Sequence, residues 1–121
     1  MSKISAIIIT LNEAQHIARC IQSLQRVADE IIVVDSHSQD DTVSIAEGLG
    51  ARVFLHEFAG YGVQKNIAAG YARYDWLLNI DADEALSPEL EGSILEAKQQ
   101  FTKDAYACNR LTNYCGKWIR H

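Results

Sequence analysis

Ile4-Ser5-Ala6-Ile7-Ile8-Ile9, closed by Thr10-Leu11-Asn12-Glu13, is the stretch that decides the fold. It is short, almost wholly apolar and rich in β-branched residues, and it stops abruptly at polar groups. A run of that kind suits a strand buried on both faces, as in a parallel sheet. Downstream, Ile17, Ile21 and Leu24 fall at i, i+4 and i+7 with Cys20 beside them, which predicts a helix over about residues 14–27. Strand followed by helix is the unit from which open α/β sheets are built.

The same alternation continues. Ile31 to Val34 is a second apolar run, ending at Asp35. After the polar loop Ser36 to Asp41, Ser38 and Asp41 have the spacing of a capping box for a helix through Ala46 and Leu49. Gly48 and Gly50 flank its end, and Arg52 to His56 reads as a third strand. Gly60-Tyr61-Gly62 reads as a loop before a helix carrying Ile67, Ala68 and Tyr71. Trp76 to Ile80 is a fourth strand, and Ser87-Pro88 caps and opens a helix with Leu90, Ile94 and Phe101 on its buried face. The order βαβαβαβα predicts an open, mainly parallel sheet with helices on both faces. Ligands in such sheets bind beyond the carboxyl ends of the strands, where Thr10, Asn12, Glu13, Asp35, Ser36, Asp81 and Asp83 fall.

The bulk properties narrow the function classes. The 121 residues suit one domain, and 48% apolar content with one proline is globular. A net charge of −5 disfavours a nucleic-acid partner and tight adsorption to anionic lipid. Cys20, Cys108 and Cys115 form no Cys-x-x-Cys, so neither a disulfide framework nor a zinc site is expected, and a cytoplasmic setting is the simplest reading. The apolar start is too short for a membrane span and lacks a signal-peptide cleavage region. His16, His37, His56 and His121 have no metal-ligand spacing. The Gly-x-Ser-x-Gly, Gly-x-Gly-x-x-Gly and P-loop patterns are absent, which argues against a hydrolase triad, a dinucleotide binder and a P-loop kinase.

The strongest chemical signal is Asn79-Ile80-Asp81-Ala82-Asp83-Glu84. Residues two apart on extended backbone share a side, so Asp81 and Asp83 are expected to face one ligand. Two carboxylates leave a divalent cation open positions for phosphate and water. An acidic turn between strand and helix is the bland alternative. Asp35 has two readings as well, a contact to a base or ribose and a cap for the loop that follows it. Asn12 and Glu13 serve either a ligand or the first turn of a helix. Lys65 is placed to meet a diphosphate as a point charge, although a lone lysine at a helix start is more often solvated.

Taken together, four segments resemble family 2 glycosyltransferases of the GT-A fold. Ile7 to Glu13 is similar to that family's first strand, Ile31 to Ser36 with Asp40-Asp41-Thr42 to its second strand and loop, Gln64-Lys65-Asn66 to its Arg/Lys-Asn segment, and Leu78 to Glu84 to its Asp-x-Asp motif. Asn113-Tyr114 with Gly116 to His121 is similar to bacterial enzymes of lipopolysaccharide core assembly. The resemblance implies the N-terminal donor-binding part of an inverting enzyme, here residues 1–121. Thr10, Leu11, Asn12, Glu13, Asp35, Lys65, Asp81 and Ala82 would bind the donor nucleotide, with Asp35 on the base. Asp83, with Asp81, would ligate Mg²⁺ or Mn²⁺. The partners implied are a UDP-sugar donor and a glycan or glycolipid acceptor, with association at the inner face of the cytoplasmic membrane. The general base would lie beyond His121. A non-catalytic nucleotide-sugar-binding module of the same fold is the alternative. A sugar nucleotidyltransferase ranks lower, because Thr10 to Glu13 is neither glycine-rich nor basic.

Overall fold

The computed structural model describes residues 3–74 and 76–100. Four strands, β1 (Ile4–Thr10), β2 (Glu30–Asp35), β3 (Arg52–Leu55) and β4 (Trp76–Asn79), form one sheet in the order β3-β2-β1-β4. All three pairings are parallel, with Ile7 opposite both Ile32 and Asn79, and Val34 opposite Phe54. The helices are α1 (Ile17–Leu24), α2 (Thr42–Gly48), α3 (Tyr61–Tyr71) and α4 (Pro88–Gln100). The strand order reverses beside β1, since β2 and β3 lie to one side of it and β4 to the other. In open sheets that reversal opens a crevice at the carboxyl ends.

Alternation along the strands divides the core. Ile4, Ala6 and Ile8 of β1, with Ile31, Val33 and Leu78, pack on Ile17, Cys20, Ile21 and Leu24 of α1, Ala46 of α2 and Ile94 of α4. Ile7, Ile32 and Val34 point the other way, onto Ala68, Ile67 and Tyr71 of α3. Tyr71 lies flat on Phe54, ring centroids 3.6 Å apart and planes within 4°. Each fully buried Ile or Leu contributes about 1.5–3 kcal/mol, so α1, with four apolar side chains buried in eight residues, is held by its stripe rather than by its ends.

Several boundaries differ from the sequence expectation. α1 begins at Ile17 rather than near residue 14, because the His16 and Ile17 amides both donate to the Glu13 carbonyl and close a tight turn first. The capping box is absent. The Ser38 hydroxyl turns back to Asp35, and Asp40 instead takes the Thr42 amide at 3.0 Å and the Thr42 hydroxyl. Tyr61 and Gly62 belong to α3, and only Gly60, at φ +110°, breaks the chain ahead of it. β3 and β4 each end one residue early, at Leu55 and Asn79. Phe101, Cys108, Cys115 and the segment Asn113 to His121 lie outside the described residues, as does the side chain of Leu90.

Candidate functional site

At the carboxyl end of β1 the chain turns through Asn12 in the left-handed region, φ +55°, a conformation asparagine tolerates better than most residues. The turn is laced to the loop after β2. The Asn12 amide donates to Ser38 Oγ at 2.7 Å, and the Gln39 amide donates to Asn12 Oδ1 at 2.8 Å. The Glu13 amide donates to Thr42 Oγ1 at 2.9 Å, and the Ala14 amide to Asp40 Oδ2 at 3.2 Å. These bonds satisfy backbone groups that neither strand nor helix can pair.

Asp35 is the hub of this lacing. It is completely buried, and its carboxylate accepts Thr10 Oγ1 at 2.6 Å, the Ser38 amide at 2.7 Å and Ser38 Oγ at 2.6 Å. The loop cap, one of the two readings open for Asp35, is formed by these bonds. Asn12 is likewise committed to the loop.

Two adjoining cavities open above these loops. The larger, about 450 Å³, is lined by Glu13, Lys65, Asn79, Asp81, Ala82 and Asp83 together with Ile7, Ile9, Ile80 and Tyr61. The smaller, about 260 Å³, is lined by Thr10, Leu11, Ser36 and Phe58, and shares Ile9, Glu13 and Tyr61 with the first. The structure thus brings together Thr10, Leu11, Glu13, Lys65, Asp81, Ala82 and Asp83, while Asn12 and Asp35 support them from outside these cavities.

Asp81 and Asp83 reach the cavity by a route other than extended backbone. The Glu84 amide closes a turn onto the Asp81 carbonyl at 2.9 Å, and Glu84 Oε1 accepts the Asp81 amide at 3.3 Å. Ala82 between them is buried in the core, as are Ile80 and Leu86, so the turn is anchored while both carboxylates stay exposed. Cys20 supports it from below, its Sγ 3.6 Å from the Asp81 carbonyl. Burial, and then the negative field of Glu84, Asp81 and Asp83, pushes the Cys20 thiol up to about 12.

The cavity's field is visible in Glu13. Burial raises its pKa first and Asp83 next, His16 pulls it back, and Asp40 and Asp81 add smaller upward contributions. Several carboxylates therefore share one hollow with Lys65, a half-buried cation, at its wall. Asn79 Oδ1, also at this wall, is a buried acceptor without a protein donor. Among the described residues, no three His, Cys, Asp or Glu side chains are grouped to hold a metal ion unaided.

Tyr61 and Phe58 were not singled out as ligand contacts from sequence. The available signal was a pair of aromatics flanking Gly60 just past a strand's carboxyl end.

A family model described as glycosyl transferase family 2 matches residues 5–121. An uncharacterized glycosyltransferase of Rickettsia felis is 53% identical over 111 residues, 92% of this chain and 39% of that protein. The lipopolysaccharide core biosynthesis glycosyltransferase LpsC of Rhizobium meliloti is 40% identical over 92 residues, 72% of this chain and 34% of its own. The chain thus spans about two-fifths of the length of the first of these relatives and about a third of the second. Among solved structures, mannosyl-3-phosphoglycerate synthase from Rubrobacter xylanophilus superposes with TM-score 0.66 at 28% identity, over 74% of this chain and 33% of that one. Glucosyl-3-phosphoglycerate synthase from Mycobacterium tuberculosis, in complex with Mn²⁺, UDP and glucosyl-3-phosphoglycerate, superposes with TM-score 0.58 at 30% identity, over 69% and 36%.

Proposed function

Because the chain belongs to glycosyl transferase family 2, with a GT-A sheet, we propose that it is the donor-binding part of an enzyme that moves a sugar from a nucleoside diphosphate to a glycan or glycolipid. The observation that carries the reading is the joint placement of Asp81, Asp83, Glu13 and Lys65 in one cavity at the carboxyl ends of β1 and β4. A UDP-sugar is the donor we favour, supported by the Mn²⁺ and UDP in the complex of the glucosyl-3-phosphoglycerate synthase. A role in lipopolysaccharide or related envelope glycans is supported by the relative LpsC. We place the reaction in the cytoplasm, at the inner face of the cytoplasmic membrane, with inversion at the transferred sugar.

A divalent cation suits the residues present. Asp83 and Asp81 would hold Mg²⁺ or Mn²⁺ from one side, where burial and then Asp83 raise the Glu13 pKa against an opposing pull from His16. Bound there, the ion would neutralise charge developing on the departing nucleoside diphosphate. Lys65 adds a point charge at the same wall. The Glu84-closed turn keeps both acids in place before any ligand arrives, which lowers the cost of ordering them on binding.

Calorimetric titration with UDP-glucose and Mn²⁺ tests the reading. Metal-dependent binding is expected, and Asp83→Asn should lose most of it while its thermal melt stays close to that of the parent. No binding to any nucleotide sugar, with or without metal, defeats the proposal. The second reading is a module of the same fold that binds donor without turnover. Transfer or donor hydrolysis by this chain eliminates that one.

A further inference from the structure

Asn79 is the polar exception in β4. It follows Trp76, Leu77 and Leu78 and precedes Ile80, in a strand position where asparagine is disfavoured. Leu78 packs into the core with α1. By the alternation of strands Asn79 faces the other way, toward the side of its register partner Ile7. On that side it reaches the wall of the larger cavity, with Ile7, Ile9 and Lys65.

An amide so placed normally finds partners within the fold. Asn79 Oδ1 is buried and has no donor, Lys65 included, and no acceptor among the described residues takes the NH₂. Gln64 Oε1 is the other orphan of this kind, but Gln64 lines neither cavity and is tied to Ser36 through its Nε2. A buried acceptor left unpaired costs the ligand-free protein stability. The terminal torsion of asparagine is soft, so the amide can turn either polar atom to the cavity without breaking a bond in the protein.

Most other polar side chains of this wall are charged. Glu13, Asp81 and Asp83, when ionised, only accept, and Lys65 only donates. Asn79 and Tyr61 are neutral and do both, and of the two Asn79 is the one with a buried orphan. A phosphate oxygen would use the NH₂ alone and leave Oδ1 without a donor. A hydroxyl gives its proton to Oδ1 or takes one from the NH₂, and the Ile7 and Ile9 side chains beside it suit the C–H face of a sugar ring.

We propose that Asn79 is a specificity-determining residue whose carboxamide pairs with a ring hydroxyl of the bound donor, on the ribose or on the transferred sugar. This inference rests on the donor-binding reading above. Asn79 acts in it by selecting the ligand and touches no reacting bond.

The test titrates three ligands, each with Mn²⁺, into the full chain: 2′,3′-dideoxy-UDP, UDP and UDP-glucose. Asn79→Leu keeps the side-chain size and removes both polar atoms. It should leave dideoxy-UDP, which has no ring hydroxyl, unchanged. It should weaken UDP-glucose about 2- to 13-fold, the worth of one neutral hydrogen bond. If UDP weakens alongside UDP-glucose, the hydroxyl is on the ribose; if UDP-glucose weakens alone, it is on the transferred sugar. Asn79→Ala should show the same selectivity, and the melt of Asn79→Leu should be no lower than the parent's, since it removes an orphan rather than a bond. Loss of dideoxy-UDP affinity equal to that of UDP-glucose overturns the inference, because the amide would then serve the base or the diphosphate. Unchanged affinity for all three ligands in both variants overturns it, as does a clear fall of the melt in both, which would mark a partner within the fold. A parent that binds none of the three sinks the donor-site reading and this inference with it, a result distinct from the others.

Discussion

Replacing Asp35 with alanine should destabilise the fold by about 3 kcal/mol, working from bonds to a charged acceptor at roughly 1.5–3 kcal/mol each and allowing for rescue of hydroxyls. Three donors end on this fully buried carboxylate: Thr10 Oγ1, the Ser38 amide and Ser38 Oγ. The two hydroxyls rotate to other acceptors. The Ser38 amide cannot, and the void left behind adds to the loss. Against a total stability of about 5–15 kcal/mol this is a large share. With a urea slope of about 1.5 kcal/mol/M, the unfolding midpoint, followed by far-ultraviolet circular dichroism, should fall by roughly 2 M. Asp35→Asn should recover part of it, because one carbonyl oxygen still faces the Ser38 amide while the new NH₂ donates to the hydroxyls. A direct base contact predicts the reverse pattern, with UDP affinity lost and the urea midpoint kept. A midpoint for Asp35→Ala within about 0.3 M of the parent would therefore refute the hub assignment.

Two further outcomes follow from titration. Burial alone would raise the Glu30 pKa, but hydrogen bonds from the Arg73 amide, Ser5 and Arg52 outweigh it and hold the carboxyl below its usual 4.5. A depressed folded value means that its stabilisation is complete above the unfolded glutamate range and is lost as pH falls through the folded value. Glu30→Gln should thus lower the urea midpoint at pH 7 and lose less than the parent on acidification; parallel losses would contradict this. Cys20, with its thiol pushed up to about 12, should resist iodoacetamide at pH 8 in the native protein and react once denaturant is added, as peptide mapping would show. Native labelling of Cys20 would mean that the acidic turn opens far more readily than its packing indicates.

The strands were legible because their apolar runs are short, dense and bounded by polar groups, a pattern set locally. The stripe Ile17, Cys20, Ile21, Leu24 was legible for the same reason, and all four side chains are buried. What stayed hidden depended on partners remote in sequence. Ser38 resembles a helix cap until Asp35 and Asn12 claim its hydroxyl. The co-orientation of Asp81 and Asp83 was anticipated from strand pleating, whereas a turn closed by Glu84 brings both to the cavity. Tyr61 reads as loop beside two glycines, yet it opens α3 and stands between two cavities that only tertiary packing creates.

At the pole of the sheet opposite the cavities, a single side chain gathers every strand. Glu30 of β2 accepts the Ser5 hydroxyl from β1, the Arg52 guanidinium from β3 and the Arg73 amide just ahead of β4. A slip of any strand by one residue would tear that knot, so the relative offsets of all four are pinned far from the ligand. The loops at the other pole are then at liberty to diverge in length and chemistry, as in a lathe whose headstock is bolted while its tools are exchanged.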